Sequence, residues 1–179
     1  MAFQKFTSIE SFAHVYRGQG FYDNKAVVNY AAKIKLHGTN AAVRVTSGGA
    51  APAEVIAQSR SRDITPDQDN AGFASWVKST EESWLTTTAE GAPDIIFFGE
   101  WAGKGIQKTD AVTKLDQKYF FVFAVQVEDK MITTPADIEE LIPDLDNVLV
   151  LPWDMIFEQE VDFNDPDLCE SFALSLIHI

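Results

Sequence analysis

The run YFFVFAVQV, residues 119–127, constrains the fold most. It is almost wholly apolar and rich in aromatic and β-branched residues, yet far short of the ~20 residues a membrane span requires. Such a run reads as a strand inside a sheet that is covered on both sides. A second run, DIIFFGE (94–100), reads the same way and is expected to end sharply at Gly99. Residues 26–36, 40–46 and 54–60 read as further strands, the first two joined at His37-Gly38, and NVLVLPW (147–153) as a short one. Helices are expected in four places. One covers residues 8–16, with Ile9, Phe12, Ala13 and Tyr16 on one face and Ser8 as cap. Another runs from Asp69 to about Thr87, with Phe73, Trp76, Val77 and Trp84 on one side. Two short ones are announced by Thr134-Pro135 and Asp165-Pro166. Strands outnumber helices and do not alternate with them. The expected class is therefore α+β, with largely antiparallel sheets and flanking helices.

Charge is unevenly distributed. The chain carries 14 Lys/Arg against 27 Asp/Glu, a net charge of −13. Residues 1–62 nevertheless hold eight bases and three acids, while after Val127 Lys130 is the single base among fourteen acids. The acidic part reads as a solvated surface, and the N-terminal part stays compatible with a polyanionic ligand. One cysteine, Cys169, excludes an internal disulfide and reads as a small buried apolar residue in a reducing compartment. The N-terminus MAFQKFTSIESF lacks a signal-peptide pattern, so a monomeric protein of the cytoplasm, or of a host's cytoplasm if viral, is expected.

Three stretches carry chemistry. In KIKLHGTN (33–40), strand alternation would put Lys33 and Lys35 on one face, with Lys35 at the rim of an apolar strand. A partly dry lysine there has a lowered pKa and offers a neutral amine as nucleophile. Gly38 permits close approach of a ligand to the backbone, and His37 could serve a phosphate or a leaving group. A hairpin bearing a surface lysine fits the octapeptide equally well. FFGEWAGKGIQK (97–108) places Glu100 before a glycine-rich segment that lacks the spacing of a phosphate-binding P-loop, and its carboxylate could accept ribose hydroxyls. Phe120, Phe121 and Phe123 offer stacking surfaces for a purine, or simply core.

Lys-x-His-Gly-Thr-Asn, then Phe-Gly-Glu about 60 residues on, then a Phe-x-Phe strand together resemble the ATP-dependent RNA ligases of the RNA ligase 2 type. That group lies within the covalent nucleotidyltransferases, beside DNA ligases and mRNA-capping enzymes. The resemblance covers about residues 3–127. It implies a partial adenylation domain in which Lys35 attacks the α-phosphate of ATP to form lysyl-AMP. It also implies that His37 assists release of pyrophosphate, Glu100 binds ribose and Phe123 stacks on adenine. Arg60 would contact the phosphate or the RNA end, with Arg62 as its rival. Thr39 and Asn40 would shape the turn, Asn40 nearer the RNA substrate. ATP and Mg2+ are the implied cofactors, with no dedicated metal-ligand set on the protein. RNA ends at a nick or break are the implied partner, in RNA repair of the phage type. Ile34 and Ala124 stand where the family often has a polar residue and an aspartate. The family's later Glu-Gly and Lys-x-Lys strands have no counterpart after Lys130.

The last six residues, LSLIHI (174–179), are what a transposon mosaic-end adaptor encodes. They are expected to be a non-native tail, which would make residues 1–173 the N-terminal part of a truncated domain. An ordinary apolar terminal strand is the other reading. A non-catalytic nucleotide- or RNA-binding remnant, or a DNA ligase or capping enzyme, remain alternative functions.

Overall fold

The computed structural model describes residues 3–7, 11–17, 27–47, 52–88, 92–107 and 110–175. In chain order the elements are α1 (Phe12–Arg17), β1 (Val27–Lys33), β2 (Thr39–Thr46), β3 (Glu54–Ser59) and β4 (Asp63–Ile64). There follow α2 (Phe73–Ser79), α3 (Glu81–Leu85), β5 (Ile95–Gly103), α4 (Asp110–Thr113), β6 (Lys118–Val127) and β7 (Lys130–Ile132). The last are α5 (Pro135–Glu139), β8 (Val148–Val150), β9 (Trp153–Asp162) and α6 (Pro166–Ser175). The α+β class with largely antiparallel sheets holds, since β6–β8 is the one parallel pairing among the described strands.

The chain divides into two compact units. The first, Met1–Phe6 with Lys35–Pro152, is built on a seven-stranded sheet ordered β4-β3-β2-β5-β6-β7, with β8 beside β6. Alternation assigns each strand residue to a face. Ala41, Val43, Val45, Phe97, Trp101, Phe120 and Val122 point to one side. There they form a single core with Phe73, Val77 and Trp84 of α2 and α3 and Ile138 of α5. Trp76 stacks on Trp101 with centroids 4.8 Å apart. The opposite face has a far smaller core: Ala42, Ile96, Phe98 and Ala124, with Phe6 and Phe123 against it.

The second unit, Thr7–Ile34 with Trp153–Ile179, pairs β1 with β9 antiparallel and packs Val161, Cys169 and Phe172 with Phe12, Tyr30 and Phe163. Cys169 is buried, as expected, and burial raises its thiol pKa, helped by the nearby charges of Asp165 and Asp162. Asp165 accepts the Leu168 N–H at 3.0 Å and caps α6, as its position before Pro166 predicts.

Several sequence expectations are corrected. The helix expected over 69–87 is two helices broken at Thr80, whose hydroxyl accepts the Trp84 indole N–H at 3.1 Å. Ser8, Ile9 and the residues 176–179 lie outside the described residues. The Ser11 hydroxyl accepts the His14 N–H at 3.3 Å at the start of α1. Leu174 and Ser175 close α6. Gly99 does not end its strand, because β5 continues to Gly103. It marks a bulge: the β5–β6 register slips between Phe98 and Gly99, and a Cβ at Gly99 would lie 2.5 Å from the Phe120 ring. Strands β4, β7 and β9 were not anticipated as separate elements; β4 and β7 are only two and three residues long.

Candidate active site

β1 and β2 do not form a hairpin. β1 pairs with β9, and β2 lies between β3 and β5. The expected strand 26–36 stops at Lys33, and residues 34–37 run as irregular chain into Gly38. Face alternation therefore does not reach Lys35. That side chain is exposed rather than half-dry.

Gly38 explains why the strand breaks here. Its N–H donates to Glu100 Oε1 at 2.9 Å, and its carbonyl accepts Gln107 Nε2 at 3.0 Å. Both partners come from FFGEWAGKGIQK, so two sequence motifs are joined through one peptide. A Cβ on Gly38 would lie 2.4 Å from the Trp101 carbonyl oxygen, so only glycine lets the turn approach β5 this closely. Gln107 itself has φ 62°, a left-handed conformation unfavourable for a side chain of its kind. The next residue, Thr39, accepts Asn70 Nδ2 at 2.9 Å. Ala71, one further on, accepts both Trp101 Nε1 at 3.1 Å and Lys118 Nζ at 2.7 Å. Asp69 anchors that loop. Burial raises its pKa, but hydrogen bonds from the Ser75 hydroxyl and the Ala74, Ser75 and Asn70 amides outweigh this and hold it below the usual carboxylate value.

Glu100 sits within β5, not at a strand end, and is half-buried. Burial pushes its carboxyl pKa above the ordinary value. The Gly38 N–H and the positive charges of Lys35 and His37 pull it partly back. Lys35 and His37, though exposed, therefore lie within electrostatic reach of Glu100.

The register gathers further residues beside this carboxylate. Asn40 on β2 and Phe121 on β6 are the direct cross-strand partners of Glu100. Cross-strand partners share a face, and it is the face opposite the helices. At the bulge, Phe123 is the extra residue, so it and Ala124 both turn to that face. Phe123 is half-buried and meets Phe6 edge-on with centroids 5.0 Å apart. Phe120 is different: it belongs to the helix-side core and is fully buried. Arg60 lies just past β3 in a turn closed by the Ser59 N–H donating to the Arg62 carbonyl at 2.8 Å. Arg62 donates to Gln68 Oε1 at 3.3 Å, whereas Arg60 is exposed and makes no hydrogen bond or ion pair among the described residues.

The sheet thus brings Asn40, Glu100, Phe121 and Phe123 to one face, with Lys35 and His37 on the segment clamped to Glu100. Sequence reading gave no role to Gln107 or Asn70. The only signal for Gln107 is its place in the GIQK motif, and for Asn70 there is none. Among the described residues no cluster of His, Cys, Asp or Glu could hold a metal ion. No helix among them is long and apolar enough to cross a membrane.

The fold has counterparts among solved structures. A lysine-to-alanine variant of the Naegleria gruberi RNA ligase with ATP and Mn superposes with a TM-score of 0.60 at 16% identity, over 92% of this chain and 45% of that one. A lysine-to-methionine variant of the same enzyme with AMP and Mn gives 0.60 at 17% identity, over 94% and 46%. The chain therefore spans less than half the length of the ligases it resembles. No curated protein matches it. A family model described as RNA ligase matches residues 28–165, most of the chain, and its fold is that of these RNA ligase structures: the chain belongs to the RNA ligase family.

Proposed function

We propose that the site performs the adenylate-transfer chemistry of an ATP-dependent RNA ligase, with Lys35 as nucleophile. The observation that carries this reading is the Gly38 clamp, which fixes the lysine-bearing segment against the Glu100 carboxylate. Attack requires the amine lone pair, so Lys35 first gives up a proton. Its nitrogen then bonds to the α-phosphorus of ATP, while the bond to the bridging oxygen breaks and pyrophosphate leaves with the electron pair. His37, two residues away on the same segment, serves the departing phosphates in this reading. An oxygen of an RNA 5′-phosphate next attacks the lysyl-AMP phosphorus, and the P–N bond breaks. The amine leaves with that electron pair and takes up a proton. A 3′-hydroxyl finally attacks the activated 5′-phosphate and AMP leaves, as RNA repair requires.

The residues present fit an adenine nucleotide. The carboxylate of Glu100 can accept two ribose hydroxyls, and Phe123 offers a ring on the same sheet face. Asn40 shares that face, and Arg60 is an uncommitted guanidinium suited to bidentate phosphate recognition. A divalent ion, Mg2+ or Mn2+, would offset phosphate charge.

The test is transfer of label from α-labelled ATP to the protein. Labelling is expected to be weak in this 179-residue chain and efficient in a protein that restores the length of the related ligases. It should be lost in Lys35→Ala. Label that persists in Lys35→Ala, or no label in the extended protein, would reject the reading. A non-catalytic binding remnant would bind nucleotide in both forms and be labelled in neither. Preference for GTP would indicate a capping enzyme, and equal sealing of an all-DNA nick a DNA ligase.

A further inference from the structure

One buried charge has no part in this chemistry. Arg44 on β2 is 2% exposed and lies on the same sheet face as Ala42 and Asn40. Its Nη2 donates to Asp63 Oδ2 at 3.1 Å, while its Nε and Nη1 are buried with no hydrogen-bond partner among the described residues. Gln58, fully buried, donates through Nε2 to Asp63 Oδ1 at 2.7 Å, and its own Oε1 is likewise unpartnered. A guanidinium buried with two unsatisfied donors is an expensive choice on a strand where an aliphatic residue would pack without that cost.

Its geometry shows what the arrangement accomplishes. Asp63 begins β4, an edge strand of two residues that, among the described strands, pairs only with β3. So short a strand is marginal on its own ladder. Arg44 reaches from β2, past β3, to hold it. One Asp63 oxygen is thus held from within the hairpin, by its cross-strand partner Gln58, and the other from the strand beyond. Between Gln58 and Asp63 lies the turn Ser59–Arg62, closed by both the amide and the hydroxyl of Ser59 donating to the Arg62 carbonyl. The turn presents Arg60.

We propose that Arg44, acting through Asp63, is a positioning residue that fixes the β3–β4 turn so that Arg60 meets the 5′-phosphate of the RNA end. The proposal rests on the reading of Arg60 given above. Asp63 serves as the pivot and Gln58 as its second support, and none of the three touches RNA.

The test is binding of a 5′-phosphorylated RNA oligonucleotide and its 5′-hydroxyl twin to the 179-residue chain, read by fluorescence anisotropy. The unmodified chain should prefer the phosphorylated strand, and Arg60→Ala should abolish that preference. Arg44→Met and Asp63→Asn should each reduce it about five- to tenfold with little change toward the 5′-hydroxyl strand, whereas Arg44→Lys should retain most of it. Arg44→Met in the Arg60→Ala background should add nothing. A general loss of structure would instead weaken both strands alike, and Asp63→Asn, at a half-exposed side chain, serves if Arg44→Met does not fold. A preference that vanishes in Arg60→Ala but survives in both Arg44→Met and Asp63→Asn overturns this proposal alone. Equal binding of the two strands by the unmodified chain overturns the role of Arg60, and this proposal with it.

Discussion

The two faces of the seven-stranded sheet are made from the same strands and do different work. On one, Phe97, Trp101, Phe120 and Val122 interlock with Phe73, Val77 and Trp84 in a continuous apolar core. On the other, a few apolar residues are interrupted by Asn40, Glu100, Gln58 and Arg44; Glu100 accepts the Gly38 N–H, and Gln58 and Arg44 both hold Asp63. A continuous core withstands conformational strain, and the second face uses that rigidity to hold a carboxylate, a bulged phenylalanine and a clamped turn in fixed register. Stability should therefore reside on one side and chemistry on the other, so substitutions on the two faces should fail in different ways.

The largest separation is expected between Trp84→Ala and Phe123→Ala. Trp84 is fully buried and its indole is hydrogen-bonded, so truncation should cost about 3–5 kcal/mol in denaturant unfolding. Phe123 is half-buried, so its loss should cost roughly 1–2 kcal/mol, below the range for fully buried rings, yet remove most ATP affinity in calorimetry. Equal stability losses would erase the distinction between the faces.

Gly38→Ala comes next. A methyl group 2.4 Å from the Trp101 carbonyl must push the turn off β5. Adenylylation in the extended protein should fall about 100-fold, as expected when a nucleophile is displaced by about 1 Å, while the melting temperature changes modestly. Glu100→Gln should weaken nucleotide binding about tenfold through loss of charge-assisted hydrogen bonds. Because burial raises the Glu100 pKa in the folded state, its contribution to stability is present at low pH and is lost as pH rises through that raised pKa. Glu100→Gln should flatten that part of the stability–pH curve and should not destabilise the protein at neutral pH. Asp69 has the opposite sign. Its lowered pKa means stability present at neutral pH and lost as pH falls below about 4. Asp69→Asn should cost about 1 kcal/mol at pH 7, the scale of a lost helix-end acceptor, and nothing in strong acid.

The helix-side face was the more legible in the sequence, because burial writes itself as periodicity. The long apolar strands, the pairing of Phe73 with Val77 and Trp84, and the capped start of α6 all follow from local pattern. The site face was legible only where a motif concentrates chemistry, as in KLHGTN and FFGE. Resemblance supplied the roles of Lys35, Glu100, Phe123 and Arg60, not periodicity. What local reasoning missed depends on partners distant in sequence. β1 looks like one arm of a hairpin with β2 until β9, more than a hundred residues later, pairs with it. Gly99 looks like a stop until β6 shows that it accommodates a ring. Gln107 and Asn70 act on the turn through hydrogen bonds spanning 69 and 31 residues, and no local pattern encodes either.

The central claim is that the amine on the clamped segment forms a bond to adenylate. Peptide mapping by mass spectrometry, after exposing the extended protein to ATP and a divalent ion, tests it most directly. The account predicts an AMP adduct on the peptide containing Lys35, absent after Lys35→Ala. An adduct located on any other residue, with Lys35 unmodified, would contradict it.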